Sequence, residues 1–268
     1  MKNINEHMDL KKEYSTVSIV GAGPGDPELL TIRAYNHIKD ADVILHDNLI
    51  PEEILNIATH AEKIYVGRKY ADPHDQLERQ EHINELMELH AAQGKKVIRL
   101  KSGDSFIYGR AMEEIRFLAE KQIPFELVPG ITAGIAAANF HSIALTERNK
   151  SNAVLFCTGH TSNYSFEQWD ALANMLKTGT CLIMYMGLKS LSRIIPRLNE
   201  LAPEETIHIS AISRVSYPDE QIISGTLNDI EQKLGERDLP MPVVFILGKY
   251  ALPLEKTQVK VREQVQDK

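Results

Sequence analysis

VSIVGAGPGDPELLT, Val17 to Thr31, is the stretch that decides the fold. A short apolar run, VSIV, leads into three glycines at alternate positions, Gly21, Gly23 and Gly25, and then into a helical pattern opened by proline. An apolar run of this length bounded by a glycine turn reads as a buried strand. Glycine lets the chain turn tightly and lets a second backbone or a ligand come close. PELLTIRAYNHIK, Pro27 to Lys39, then sets Leu29, Leu30, Ala34 and Ile38 at helical spacing. Proline suits the first turn, where its missing N–H would have no helical partner. A dinucleotide-binding turn has this outline, and Asp47 supplies an acid one strand further on. That fingerprint requires glycine where this chain has Asp26, followed by Pro27, and a carboxylate there repels a pyrophosphate.

The same alternation continues outward. ADVILHD (Ala41 to Asp47) predicts a strand, PEEILNIA a short helix, and EKIYVG a strand ending at Gly67. His74 to Gln93 predicts a long amphipathic helix stopped by Gly94. KVIRLK, GRAMEEIRFLAEKQ, FELVPG and TAGIAAANF follow as strand, helix, strand and small-residue helix. After the polar stretch Thr146 to Asn152 the pattern restarts with AVLFCTGH, a helix from Phe166 to Leu176, CLIMYMG and a helix from Leu188 to Leu201. TIHISAISR and QIISGTL come next, separated by the turn signal Tyr217-Pro218-Asp219, then a helix from Leu227 to Leu234 and the last strand PVVFILGKY. Alternating strands and helices predict an α/β fold. The expected organisation is a loose arm (1–14), an α/β domain (15–145), a second α/β domain (146–252) and a tail (253–268). Each domain carries a mostly parallel or mixed sheet, and a ligand cleft lies between them.

Composition narrows the function classes. The chain has 268 residues and a formal net charge of -7, whereas binding nucleic acid calls for a basic stripe to neutralise phosphates. Nothing approaches the ~20 apolar residues of a membrane span, and Met1 to Ser15 lacks the apolar core of a secretory signal. The expectation is a cytoplasmic protein with neither nucleic acid nor membrane as partner. Cys157 and Cys181 sit inside apolar runs and read as buried strand residues. No spacing of His and Cys suggests a metal site.

Three further segments could carry chemistry. RLKSGDSFIYGRAMEE (Arg99 to Glu114) ends a strand in Ser102-Gly103-Asp104 and opens a helix. Ligands in open α/β sheets bind outside the carboxyl ends of strands, so Asp104 either meets a ligand there or caps a turn. VPGITAGIAA (Val128 to Ala137) offers small residues and the Thr132 hydroxyl at a helix start. IMYMG (Ile183 to Gly187) ends a strand in Tyr185 and Met186, which could line an adenine or thioether pocket or fill core.

Taken in order, GAGPGDPELLT, HDNL, VGRK, RLKSGDSFIYGR, VPGIT, LTER, TGH and YMG resemble the tetrapyrrole methylase family, and within it the group that methylates uroporphyrinogen III. The resemblance runs from about Val17 to Leu252. It implies S-adenosylmethionine as cofactor, S-adenosylhomocysteine as its product, and a homodimer. It implies methylation at carbons 2 and 7 of a small-molecule tetrapyrrole, giving precorrin-2 for sirohaem or corrinoid synthesis. By resemblance, Pro24, Ser102, Gly103, Asp104, Ile107, Thr132, Ala133, Met186, Ser216 and Pro242 contact the cofactor. Asp47 would stabilise the cationic ring and accept its proton, with Arg68 as a second catalytic position. Arg110 and Arg148 would hold substrate carboxylates through bidentate hydrogen bonds.

Several positions depart from the family's pattern. Ser102 and Ser105 flank Gly103-Asp104 where the family reads GGDP, and Ala111-Met112 replaces a glycine pair. Glu147 stands where the family often has histidine. Arg68 stands where it often has lysine, with Lys69 next. Arginine stays charged at any working pH, which suits it poorly to donating a proton. Two other readings stay open: a methylase of a later corrinoid precursor, and an adenosyl-binding regulator without turnover.

Overall fold

The computed structural model describes residues 13–67, 76–159 and 166–254. The chain divides into two compact units, Met1–Thr132 and Ala133–Lys268.

In the first unit, strands β1 (Val17–Gly21), β2 (Val43–His46), β3 (Glu62–Tyr65), β4 (Val97–Lys101) and β5 (Phe125–Val128) form one sheet in the order β3-β2-β4-β1-β5. Every pairing in it is parallel. Helices α1 (Ile32–Lys39), α2 (Glu52–Leu55), α3 (Gln76–Ala92) and α4 (Ala111–Glu120) connect the strands. Alternate strand residues feed two separate cores. Val17, Ile19, Val43, Leu45 and Val97 pack with Met87 of α3 and Ile115 and Leu118 of α4. Val20, Ile44, Ile98 and Leu100 pack with Ala34 and Ile38 of α1 and Ile54 of α2. Helices on both faces explain why the strands read as continuous apolar runs. Each fully buried Ile or Leu contributes about 1.5–3 kcal/mol.

The predicted helix from Pro27 to Lys39 is in fact two pieces: a 3-10 turn (Pro27–Leu29) and α1. Leu30 is extended, and the Thr31 hydroxyl accepts the N–H of Ala34 at 3.1 Å, which starts α1 afresh. A side-chain acceptor at an N-cap outcompetes continuation of the preceding turn. Gly94, with φ of 74°, closes α3.

In the second unit, β6 (Val154–Thr158), β7 (Cys181–Tyr185), β8 (His208–Ser213), β9 (Gln221–Thr226) and β10 (Val243–Gly248) lie in the order β6-β7-β10-β8-β9. Only β6 and β7 pair in parallel; the other three pairings are antiparallel. α6 (Phe166–Lys177), α7 (Leu191–Leu201) and α8 (Ile230–Gly235) cover one face. Phe245, Leu182, Ile209 and Ala211 meet Ala173, Leu176, Ile194 and Leu198 there. α5 (Ala133–Phe140) packs on the strands through its small residues. A Cβ on Gly134 would lie 2.3 Å from Ile183 Cγ2, so only glycine admits this approach. The sheet is mixed because β8 and β9 form a hairpin across Tyr217 to Asp219, with no helix between them to reverse the chain.

Candidate functional site

Parallel pairing sends the carboxyl ends of all five strands of the first sheet to one edge. Pro24, Asp47, Ser102, Gly103, Asp104, Ile107 and Thr132 all lie on the loops that leave that edge. Close backbone packing holds three of these loops together. Gly23 and Gly103 exchange hydrogen bonds, N–H to carbonyl, at 3.1 and 2.7 Å. A Cβ on Gly130 would lie 2.2 Å from the Gly103 carbonyl oxygen, and one on Gly21 2.6 Å from Gly130 N. Asp104 clamps the same junction. Its Oδ1 accepts from Phe106 N at 2.9 Å and its Oδ2 from Gly130 N at 3.1 Å. Asp104 therefore orders the loops as well as lying among them.

Asp47 follows β2 directly and is half-buried. Its Oδ1 accepts from Leu49 N at 3.1 Å, an Asx turn that fixes the carboxylate against its own loop. Arg110 caps α4 in a left-handed conformation (φ 58°). It is exposed, and it holds Glu113 in a two-pronged pair of 2.8 and 2.5 Å. That pair raises the Arg110 pKa and lowers that of Glu113. Thr132 is buried and Ser102 and Ile107 are half-buried. Arg68 and Lys69 lie outside the described residues.

The second unit gathers its own set. β6, β7 and β8 end at the edge where β9 and β10 begin. Met186, Ser216 and Pro242 therefore share one edge. Met186 (φ 55°) and Ser216 (φ 68°) are left-handed, and Pro242 follows a cis bond from Met241. The Pro242 carbonyl accepts from Arg214 N at 2.8 Å, and Glu220 Oε2 accepts from Ser216 N at 2.6 Å. Ala133 is brought to the same strand end: the Tyr185 hydroxyl accepts the N–H of Gly134 at 2.8 Å at the start of α5. Tyr185 thus braces a helix start, a role that sequence reading did not give it. Arg148 is exposed at the tip of a turn closed by Glu147 and Ser151.

Sequence reasoning also passed over three charged residues inside a motif it quoted. Arg99, Lys101 and Glu114 have side chains only 5%, 5% and 1% exposed. Lys101 Nζ donates to both oxygens of Glu114 at 2.8 and 3.0 Å, and Arg99 Nε donates to Oε1 at 3.0 Å. The signal was available: two basic residues at alternate positions of a buried strand must point to one face and find an acid there.

The edge suits a ligand without phosphate. The Asp26 carboxylate accepts the N–H of Glu28 at 2.8 Å, so an anion already caps the turn after the glycines, where a pyrophosphate would sit. What remains is a donor and acceptor set of hydroxyls, backbone groups and carboxylates, which matches a ribose, an amine and a cationic sulfonium. A cavity of 390 Å³ lined by Ser18, His37, Lys96 and Glu126 opens instead at the other edge of this sheet, where β1 and β4 begin, and includes none of the predicted residues. Among the described residues, no group of His, Cys, Asp or Glu could hold a metal, and no helix is long and apolar enough to cross a membrane.

Comparison with known proteins gives a consistent picture. The model of the Tetrapyrrole (Corrin/Porphyrin) Methylases matches residues 16–231. The chain is 38% identical to a siroheme synthase of Pseudoalteromonas atlantica over 94% of its own length and 53% of that protein. It is 40% identical to a siroheme synthase of Hahella chejuensis, over 91% of its own length and 51% of that protein. It spans about half the length of the curated relatives it matches. Among solved structures, the uroporphyrin-III C-methyl transferase from Thermus thermophilus complexed with S-adenyl homocysteine superposes with a TM-score of 0.71 at 32% identity, covering 87% of this chain and 97% of that one. A cobalt precorrin-4 methyltransferase superposes with a TM-score of 0.78 at 24% identity over 89% of this chain and 96% of that one, a likeness of fold.

Proposed function

The chain belongs to the tetrapyrrole methylase family, and from that premise we propose that it methylates uroporphyrinogen III at carbons 2 and 7 with S-adenosylmethionine, yielding precorrin-2. The observation that carries this reading is the 32% identity, over nearly the whole of that protein, to a uroporphyrin-III C-methyl transferase complexed with S-adenyl homocysteine. The Asp26 carboxylate that caps the turn after the glycines, where it would repel a phosphate, supports the cofactor class.

S-adenosylmethionine supplies an electrophilic methyl group on a sulfonium that leaves as a neutral thioether. The protein's share is alignment and charge. Pro24, the Ser102-Gly103-Asp104 loop, Ile107, Thr132, Ala133, Met186, Ser216 and Pro242 hold the cofactor. Asp47 faces the cation that develops on the ring and takes the proton that leaves a bridging methylene or ring nitrogen. That loss neutralises the ring while the methylated carbon, already substituted, stays quaternary. Arg110 exchanges Glu113 for a substrate carboxylate, and Arg148 takes another. Arg68 completes the catalytic set. The protein works as a cytoplasmic homodimer, with neither nucleic acid nor membrane as partner.

The decisive experiment is an anaerobic incubation with S-adenosylmethionine and uroporphyrinogen III, read by mass spectrometry. Gain of two methyl groups is expected. Cofactor binding by calorimetry without methylated product would overturn the substrate assignment and point to a later corrinoid precursor or a silent binder.

A further inference from the structure

We propose that Lys101 is a positioning residue for Asp47, acting from a buried Arg99–Glu114–Lys101 cluster beneath the carboxyl edge of the first sheet. The inference rests on the reading of Asp47 as the carboxylate that meets the ring cation.

Strand register brings the groups together. Leu45 pairs with Arg99 and His46 with Leu100, and the next residues on the two strands are Asp47 and Lys101. Neighbours in register share a face, so Arg99 and Lys101 point the same way as Leu45, into the core beneath α4. There Glu114, with a relative exposure of 0%, receives both cations.

The charges in this cluster do not balance. Two basic side chains face one carboxylate, and burying an uncompensated charge is expensive. Arg99 meets part of its demand by donating from Nη1 to the carbonyls of Leu45 and Leu100 at 3.2 and 3.1 Å. The first of these ties down β2 two residues before Asp47. Among the described residues Lys101 has no such backbone outlet; its Nζ bonds there are to Glu114. Burial and Arg99 lower the Lys101 pKa, while Glu114 and, more weakly, Asp47 oppose that shift. The charge of Lys101 also reaches Glu113, which is exposed and already paired with Arg110. Asp47, the residue after the Leu45–Arg99 and His46–Leu100 pairs and so beside Lys101 in register, is the carboxylate placed to supply the missing charge. One Asp47 oxygen is fixed by Leu49 N, and the other takes no hydrogen bond among the described residues. The Lys101 charge keeps that carboxylate directed at the strand end, and the Arg99 bond to Leu45 keeps the strand end in place.

A double-mutant cycle tests the proposal. Lys101→Met, Asp47→Asn and the double variant are assayed for kcat and KM with uroporphyrinogen III, and for S-adenosylmethionine binding by calorimetry. Lys101→Met is expected to lower kcat about tenfold or more, with KM and cofactor affinity within threefold. In the Asp47→Asn background the same change should have less than about a twofold effect, because residues acting as a unit are non-additive. An equal loss in both backgrounds, or an unchanged kcat in Lys101→Met, overturns the proposal, since a merely structural role lowers both backgrounds alike. Wild-type turnover by Asp47→Asn alone instead removes the reading of Asp47 and leaves no partner for Lys101 to act through. If Lys101→Met does not bind the cofactor, Lys101→Gln, which keeps a donor toward Glu114, takes its place in the cycle with the same criteria.

Discussion

The first sheet and the second reach a loop-bearing edge by different routes. In the first, five parallel strands all end at one edge, and each loop there follows directly from the strand before it. In the second, three strands end at the edge and two begin there, so Met186, Ser216 and Pro242 meet only through antiparallel register. The tight turns differ as well. The first sheet uses Gly23, Gly25 and Gly103 for positive φ near β1 and β4, with Tyr108 and Arg110 as side-chain-bearing exceptions. The second places Met186, Arg214 and Ser216 in left-handed backbone without glycine. Non-glycine residues in that region are strained by roughly 1–3 kcal/mol each unless their surroundings hold them. Glu220 on Ser216 N and Pro242 on Arg214 N provide that hold. The first unit, then, is built on close backbone packing and buried charge, and the second on braced side chains.

The largest effect that can break this contrast is at Glu114. Glu114→Ala leaves two buried cations without their acid and should destabilise the protein by about 3–5 kcal/mol. Thermal or urea unfolding would register it. A stability loss under about 1 kcal/mol would mean the cluster is hydrated, and the first unit is not held by buried charge.

Next comes Asp47→Asn. Removing a carboxylate that meets charge formed in the reaction should slow methyl transfer by about 10²–10³-fold. Cofactor binding should stay within a few-fold, because the Asx turn to Leu49 survives with an asparagine oxygen. Activity and calorimetry on one preparation check both halves.

The two units also differ in how well their sites could be seen in the sequence. In the parallel sheet a motif and its loop are the same stretch of chain, so GAGPGD, HDN and KSGD marked the edge without knowledge of pairing. In the second sheet Pro242 and Ser216 are neighbours only because β10 runs between β7 and β8, an order that no local pattern encodes. Antiparallel pairing of β8, β9 and β10 was likewise hidden, since a strand's composition does not record its direction. The split of Pro27 to Lys39 was missed because Thr31 sits in a helical pattern, and its capping bond to Ala34 N depends on backbone geometry. The Arg99–Glu114–Lys101 cluster lay in quoted sequence. Its signal is the alternation of Arg99 and Lys101 along an otherwise apolar strand, and the acid that answers them, Glu114, lies beyond the intervening loop.

The loop clamps offer a smaller and sharper test. In the first unit a carboxylate, Asp104, accepts from Phe106 N and Gly130 N. In the second a phenol, Tyr185, accepts from Gly134 N. Hydrogen bonds to a charged acceptor are worth about 1.5–3 kcal/mol and neutral ones about 1 kcal/mol. Asp104→Ala should therefore lower stability by more than Tyr185→Phe, and the melting temperatures of the two variants give the order directly. A reversed order would show that the phenol carries more of the α5 start than its bond to Gly134 implies.

The finest distinction is the response to alkali, where the two units should pull in opposite directions. Burial pushes the Cys181 thiol, in β7, up to about 12. Above pH ~9 the unfolded chain ionises this thiol while the folded chain keeps its proton, so its contribution to stability falls as pH climbs from 9 toward 12. Lys101, in β4, is shifted down from 10.5 by burial and by Arg99. Just below 10.5 the unfolded chain binds the proton more firmly than the folded one, so the lysine's contribution rises with pH until both states are neutral. Each substitution adds a pH-independent offset, from lost packing for Cys181→Ala and from a changed bond network for Lys101→Met, so the slope is the quantity to read. Urea unfolding at intervals between pH 8 and 10.5 should give Cys181→Ala a shallower decline than wild type and Lys101→Met a steeper one. If both variants shifted the slope in the same direction, the charge cluster of the first sheet and the apolar interior of the second would share one alkaline response, and the contrast between them would fail at its electrostatic root.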